Sequence, residues 1–291
     1  MRKFSILFLV NNLKDSDHSI STEVIDFLKK KEATIYSEDG FNDTITYNQN
    51  NHNKIIDFAI ILGGDGSILN FSHKYKDDNY PIFGINLGRV GCLTLADRED
   101  YQEKLEMVFE GNYFVEERNT IECEISKDGE KIKEIAFNEV SILRGKLYKM
   151  LYINMLVNNN NKTSFFADGI CVATSTGSSA FNLSCGGPLL LPSAKNFVIS
   201  PVNPQLRTIT SLVVNDSDII TIDLYEEIIR EPFNVEKPII VIDGLKMIEI
   251  NRTDIVKIYK NVKTLKIIKV DGQASLFEPT LKVALSSKNF I

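Results

Sequence analysis

FAIILGGDGSILNFSH (residues 58–73) carries five apolar residues into Gly63, Gly64, Asp65 and Gly66 and then into a short helical pattern. A buried strand that ends in glycines and turns into a helix is half of a βα unit, and its neighbours repeat the theme. FSILFLV (4–10) reads as another buried strand. In STEVIDFLKKKEA (21–33), Val24, Ile25, Phe27 and Leu28 cluster on one helical face. IIDFAIIL (55–62) and PIFGIN (81–86) are further strands, and REDYQEKLEMVFEGN (98–112) is a helix expected to end at Gly111. Short apolar strands alternating with helices predict a parallel sheet covered on both faces.

The texture changes after Arg118. TIECEIS (120–126) alternates, KDGE turns, and KIKEIAFNEVSIL (131–143) returns as a hairpin. LYINMLV, DIITIDLY, KPIIVID, LKMIEIN and LKIIKV continue the β pattern, and the asparagines at 158–161 mark an exposed turn. The expected architecture is an α/β domain with a parallel sheet over 1–118 and a mainly antiparallel β-sandwich of two packed sheets over 119–270. A tail over 271–291, with a helical pattern in EPTLKVALSS, is expected to pack back on the first domain.

At 291 residues two domains are the natural expectation. A formal charge of −6 argues against a general binder of nucleic acid or anionic membrane. The four cysteines form no C-x-x-C pair, which suggests neither zinc nor a disulfide framework and fits a reducing cytoplasm. MRKFSILFLVNN imitates a signal peptide, but no small-residue cleavage site follows, so a first core strand is expected. No stretch approaches the roughly 20 apolar residues of a membrane span.

Glycines at 63, 64 and 66 expose backbone N–H groups at a helix start, where phosphate oxygens bind well. A carboxylate there repels phosphate. Asp65 makes sense if a hydroxyl must lose a proton beside the phosphate, or if Mg²⁺ must be oriented. Taken alone, the turn is equally compatible with a strand-to-helix turn capped by Asp65. The Walker pattern G-x-x-x-x-G-K-[ST] is absent. GINLGRVGCL (84–93) adds Gly84, Asn86, Gly88 and Gly91 at the end of the next strand, where ligands of open α/β sheets gather. FFADGICVATSTGSSAFNLSCGGPLL (165–190) follows a strand with small hydroxyl residues suited to close contact with a sugar-like ligand. Asn138-Glu139 interrupts an otherwise hydrophobic strand, where an isolated carboxylate is costly without partners.

On these motifs the chain resembles the NAD kinases, which phosphorylate the 2′-hydroxyl of the adenosine ribose of NAD to make NADP. The family's GGDG(T/S) matches Gly63–Ser67, with Gly63, Gly64, Gly66 and Ser67 as the phosphate-donor loop. Its G-x-N-x-G-x-x-G loop matches Gly84, Asn86, Gly88 and Gly91, its Asn-Glu pair Asn138-Glu139, and its last motif Asp168 to Pro188. The resemblance implies Asp65 as the base and Gly66 beside the reacting phosphate. It implies Asn138, Ser179 and Ala180 at the adenine, Glu139 at the ribose hydroxyls, and Asp168 at the nicotinamide end, across a subunit interface. Thr176, Phe181 and Ser184 fall in the same dinucleotide pocket. It further implies ATP or another phosphate donor, Mg²⁺ or another divalent cation held mainly by donor phosphates rather than by protein ligands, and a homodimer or homotetramer. Two positions depart from the pattern: Cys92 stands where an aromatic is common, and Phe181 replaces a tyrosine.

Other readings fit less of the chain. A lipid kinase resembling diacylglycerol kinase shares GGDG but leaves 165–190 unexplained. A sugar-phosphate kinase resembling 6-phosphofructokinase lacks patterned arginines. A serine hydrolase lacks G-x-S-x-G, and all three histidines lie in the first domain. A non-catalytic dinucleotide sensor gains nothing from Asp65 beside phosphate.

Overall fold

The computed structural model describes residues 3–38, 40–41, 43–48, 55–88, 91–146, 149–224 and 237–270. The chain divides into one unit of Met1–Glu117 with Leu265–Ile291 and another of Arg118–Thr264.

The first unit runs β1 (Ser5–Val10), α1 (Ser19–Lys30), β2 (Thr34–Ser37), β3 (Ile45–Thr46), β4 (Phe58–Gly63), α2 (Asp65–Lys74), β5 (Ile82–Asn86), β6 (Ala96–Asp97), α3 (Tyr101–Glu110) and β7 (Tyr113–Arg118). The second unit holds β8 (Ile121–Lys127), β9 (Glu130–Ala136), β10 (Glu139–Leu143), β11 (Leu151–Val157), β12 (Asn160–Thr174), α4 (Phe181–Ser184), β13 (Asn196–Pro204), β14 (Leu212–Asn215), β15 (Ile220–Leu224), β16 (Ile239–Ile242), β17 (Lys246–Glu249) and β18 (Ile255–Lys260). The chain then returns to the first sheet as β19 (Leu265–Val270).

The first sheet has the order β3-β2-β1-β4-β5-β19-β7, with β6 also on β5. β1 pairs in parallel with β2 and β4, and β4 with β5. All six residues of β4 are buried, as a strand covered on both faces requires. Ile20, Val24, Ile25 and Leu28 of α1 and Leu105 and Val108 of α3 join Phe8, Ile60, Leu62, Phe83 and Ile85 in one core. α3 stops at Gly111, which takes φ +87°, the left-handed conformation that glycine adopts at no steric cost.

The strand order reverses between β1 and β4: β2 and β3 lie to one side, β4 and β5 to the other. Ligands of open α/β sheets bind at such a switch point, outside the carboxyl ends of the strands. The connections leaving β1, β4 and β5 there are the segments starting at Asn11, Gly64 and Leu87.

The second unit differs from expectation in three ways. Its two layers are one hydrogen-bonded antiparallel sheet, ordered β17-β16-β10-β12-β11-β15-β18-β8-β9 with β13 and β14 continuing from β12. The sheet curls until β10 packs near β8 and β16 near β9, and its core is enclosed by residues such as Ile125, Val140, Ile153, Val172 and Ile240. LKIIKV, expected in this domain, is instead β19, parallel to β5 through Ile267 and Ile82. KIKEIAFNEVSIL is two strands: β9 pairs with β8, and after Phe137-Asn138 β10 pairs with β12 and β16. The exposed asparagine turn forms as expected, with Asn158 and Asn159 at positive φ between β11 and β12. The expected tail over 271–291 lies outside the described residues.

Asp15, only 2% exposed, anchors the turn that leads from β1 into α1. Its Oδ1 accepts from Ile20 N at 3.1 Å and its Oδ2 from Ser21 N at 2.9 Å, satisfying two of the donors that a helix start leaves unpaired. Asp15→Ala should lower stability by about 0.5–2 kcal/mol, read as a shift of the urea midpoint with an unchanged slope.

Candidate functional site

In the first unit the glycine segments are stitched to one another by their own polar groups. Asn11 N donates to Leu62 O at 2.8 Å, and Asn11 Nδ2 to Ser67 Oγ at 3.1 Å. Leu87 N donates to Gly63 O at 2.7 Å. Asn86, buried, accepts from Gly88 N at 2.9 Å and donates to Asp97 Oδ1 at 3.1 Å. Asp65 opens α2 and accepts from Cys92 N at 2.9 Å on Oδ2 and from Leu93 N at 3.0 Å on Oδ1. It ties the second glycine loop to the first. Each oxygen keeps a second lone pair, so the carboxylate is oriented and still able to accept another proton.

These glycines are not at positive φ. Close approach explains them. A Cβ on Gly63 would stand 2.3 Å from Ser67 Oγ, and one on Gly91 1.9 Å from Thr94 Oγ1. Gly66 differs: a Cβ there meets nothing within 4 Å. Packing does not demand glycine at 66, and its backbone is exposed. Gly84, Asn86, Gly88 and Gly91 thus sit with Gly63, Gly64, Asp65, Gly66 and Ser67 at one sheet edge, as expected from sequence.

In the second unit the break at Phe137-Asn138 is held by Asp243. Its carboxylate accepts from Phe137 N at 2.8 Å, Asn138 N at 2.8 Å and Glu139 N at 2.9 Å. The other wall is the turn after β12. Thr174 Oγ1 donates to Phe137 O at 2.8 Å and accepts from Gly177 N at 2.9 Å, and Thr174 N donates to Asn138 O at 2.8 Å. Gly177 lies so close to Asn138 that a Cβ on it would be 2.1 Å from Asn138 O. Asn138, Glu139, Thr176 and Ser179 are therefore brought together. Ser179 Oγ donates to Thr176 O at 3.3 Å.

Among the described residues, two buried atoms in this cluster have no hydrogen-bond partner, Glu139 Oε2 and Thr176 Oγ1. A buried polar atom left unpaired is destabilising, and a ligand hydroxyl or amide relieves it. Burial first, then the negative charge of Asp243 and then Cys185, push the Glu139 carboxyl up to about 8. Cys185 lies beside Cys171: their hydrogen bond holds the Cys185 thiol below its ordinary value, while that contact and burial raise Cys171.

Several hydroxyls of 165–190 serve the fold instead. Ser178 Oγ donates to Ser175 O at 2.7 Å and accepts from Leu190 N at 2.9 Å. Asn182, fully buried, donates to Ser178 O and Pro188 O and accepts from Ser200 Oγ. Ala180 is half-buried and Ser184 exposed. Phe181 is 37% exposed, a surface ring rather than a core one. Asp168 is not part of the cluster: it lies six residues before Thr174 in β12, about 20 Å along an extended strand. Arg144 Nε at 2.9 Å and Asn203 Nδ2 at 2.9 Å hold its carboxylate. Among the described residues no group of three or more His, Cys, Asp or Glu side chains is placed to hold a metal ion.

The sequence reading passed over Asp243 and Lys14. Asp243-Gly244 carries only a hairpin-turn signal, and Lys14 stands alone in a polar loop.

Comparison with known proteins agrees with this geometry. The family described as ATP-NAD kinase N-terminal domain matches residues 6–113, and that described as ATP-NAD kinase C-terminal domain matches 137–270. An NAD kinase of Thermoanaerobacter sp. (strain X514) is 32% identical over 277 residues, covering 93% of this chain and 94% of that protein. An NAD kinase of Clostridium beijerinckii is 32% identical, covering 90% of this chain and 89% of that protein. An NAD kinase from Archaeoglobus fulgidus, solved in complex with ATP, superposes with a TM-score of 0.75 at 25% identity, over 97% of this chain and 99% of that one. Yeast NADH kinase, solved with NADH, gives a TM-score of 0.85 at 19% identity, over 98% of this chain and 89% of that one, which shows a shared fold.

The raised Glu139 carboxyl makes stability depend on pH. The unfolded chain releases this proton near 4.5, whereas the folded chain keeps it until about 8. Raising the pH across that interval therefore favours the unfolded state. Glu139→Gln removes this dependence. Its melting temperature relative to the parent chain should rise steadily from pH 5 to pH 8, and a constant difference would exclude a raised Glu139.

Proposed function

The chain belongs to the NAD kinase family, and we propose that it transfers a phosphoryl group from ATP to the 2′-hydroxyl of the adenosine ribose of NAD, forming NADP. The observation that carries this reading is the Gly63–Ser67 turn. It places an oriented carboxylate, Asp65, beside an open glycine, Gly66, at the switch point of a parallel sheet.

A ribose hydroxyl is a weak nucleophile. Asp65, held by Cys92 N and Leu93 N, accepts its proton as the new P–O bond forms and the bond from the terminal phosphorus to the bridging oxygen breaks, releasing ADP. Backbone N–H groups of the glycine loops align the donor phosphates, with Gly66 beside the one transferred. Glu139 Oε2 and Thr176 Oγ1, unpaired in the protein alone, take up polar groups of the dinucleotide, Glu139 at the ribose hydroxyls. Asn138, Ser179 and Ala180 receive the adenine, and Phe181 and Ser184 border it. Asp168, held by Arg144, serves the nicotinamide end.

A divalent cation such as Mg²⁺ fits the oxygen chemistry at Asp65, and would be held mainly by the donor's phosphates. When bound it neutralises charge on those phosphates. Four free cysteines support a reducing, cytoplasmic setting. Among the described residues no helix is long and apolar enough to cross a membrane. The family resemblance supports a homodimer or homotetramer.

The purified chain with NAD, ATP and Mg²⁺ should yield NADP, and no NADP under saturating substrate would overturn the assignment. Asp65→Asn should lower turnover by roughly 10²–10⁴-fold and leave NAD affinity nearly unchanged. Near-normal turnover would reduce Asp65 to a clamp on the Cys92-Leu93 backbone. Phe181→Ala should weaken NAD binding with little change in melting temperature, because the ring is exposed. A large fall in melting temperature with normal NAD affinity would assign Phe181 to the scaffold.

A further inference from the structure

The Asn11–Asp15 turn carries a charge that the fold itself does not use. Lys14 N donates to Asn11 O at 2.9 Å, so the turn folds back on itself, and the bonds from Asn11 to Leu62 and Ser67 fix it against the first glycine loop. Buried Asp15 fixes its other end to α1. The Lys14 ammonium is thereby carried over both glycine loops. Its Nζ lies 2.9 Å from the point where a Cβ on Gly64 would stand and 3.0 Å from the corresponding point on Gly88.

Several exposed lysines of this chain find carboxylates, among them Lys29 with Asp43, Lys74 with Glu38 and Lys131 with Glu124. Among the described residues the Lys14 ammonium has no hydrogen bond and no ion pair. The nearest carboxylate in sequence, Asp15, is turned to the backbone of α1, and Asp65 to the backbone of 92–93. A cation held over two loops of backbone donors, without a counter-ion, is an arrangement completed by an anion with several oxygens.

We infer that Lys14 is a binding residue for the phosphate chain of the donor, closing over it from the β1 side while the two glycine loops hold it from below. The position at the reversal between β1 and β4 gives the reason for its origin in this connection: the loop after β1 and the loop after β4 flank the crevice. The ligand chemistry is a linear polyphosphate, carried by a nucleoside triphosphate or free. This inference rests on the phosphoryl-transfer reading for its role in the reaction, though not for the anion binding itself.

The test uses the full chain, with Lys14→Met, Lys14→Arg and the parent compared by calorimetry with ATP and with inorganic tripolyphosphate, and by initial rates with ATP and NAD varied separately. Lys14→Met should weaken tripolyphosphate and ATP binding and raise KM for ATP by roughly 10-fold or more, the weight of a charge-assisted contact. KM for NAD and the melting temperature should stay near the parent values, and Lys14→Arg should recover most of the loss. Loss of ATP binding alone, with tripolyphosphate binding unchanged, would place Lys14 at the nucleoside and overturn the inference. So would parent-like ATP and tripolyphosphate affinities in Lys14→Met, or a parent chain that binds neither. A parent chain that binds tripolyphosphate through Lys14 yet makes no NADP would uphold the inference and overturn the phosphoryl-transfer reading.

Discussion

Three backbone N–H groups, of Phe137, Asn138 and Glu139, end on the single carboxylate of Asp243. Where a chain leaves one strand and enters another, its amides lose their ladder partners, and a buried amide without an acceptor is destabilising. A carboxylate is the one side chain with enough acceptor capacity to collect several such donors, and the donors in turn offset the desolvation of its charge. The same solution recurs at Asp65, which gathers Cys92 N and Leu93 N, and at Asp15, which gathers Ile20 N and Ser21 N. Each of these acids shapes one loop. Asn138 and Glu139 sit beside Asp243 on backbone that it fixes, whereas Asp65 is both a loop anchor and the proposed base.

Legibility followed the range of the interaction. β4, β5 and their glycine loops were readable because a continuous apolar run followed by glycine reports burial and a turn locally. The end of α3 at Gly111 was readable for the same reason. The split of 131–143 into β9 and β10 was not. Asn138-Glu139 announced an interruption, but its cause is an acid 104 residues away in sequence from Glu139. Asp243-Gly244, both at positive φ, spells a tight hairpin turn, and that local meaning hides the long-range one. The placement of β19 was lost differently. Its Leu-Lys-Ile-Ile-Lys-Val suits either sheet, and the adjacent apolar Ile267 and Ile268, both buried, are the hint of a strand covered on two faces.

The hydroxyl-rich stretch after β12 divides along the same line. Side chains of Thr174, Ser178 and Asn182 are consumed by internal hydrogen bonds that hold the turn onto Phe137-Asn138 and onto β13. Composition marked the whole segment as a ligand contact, whereas these side chains serve the fold and, among the described residues, Thr176 Oγ1 is buried without a partner. The other residues hold it rigidly. A rigid turn matters because a binding group that must first be ordered spends part of its interaction energy on that ordering.

Asp65, the proposed base, and Glu139, proposed to bind hydroxyls, have been given opposite surroundings. Asp65 has one backbone donor on each oxygen and is half-buried, so it is held in orientation by those two hydrogen bonds. Glu139 has burial, a neighbouring negative charge on Asp243, and an oxygen with no donor at all. All three conditions disfavour its charge, so at neutral pH it is mainly the neutral acid, which both donates and accepts. A vicinal diol matches that capacity, since each hydroxyl also does both. In the proposed complex, ribose hydroxyls would supply the missing donor to Oε2. Under the proposed roles, Asp65 would take a proton from the reacting hydroxyl and Glu139 would bind hydroxyls as a neutral acid.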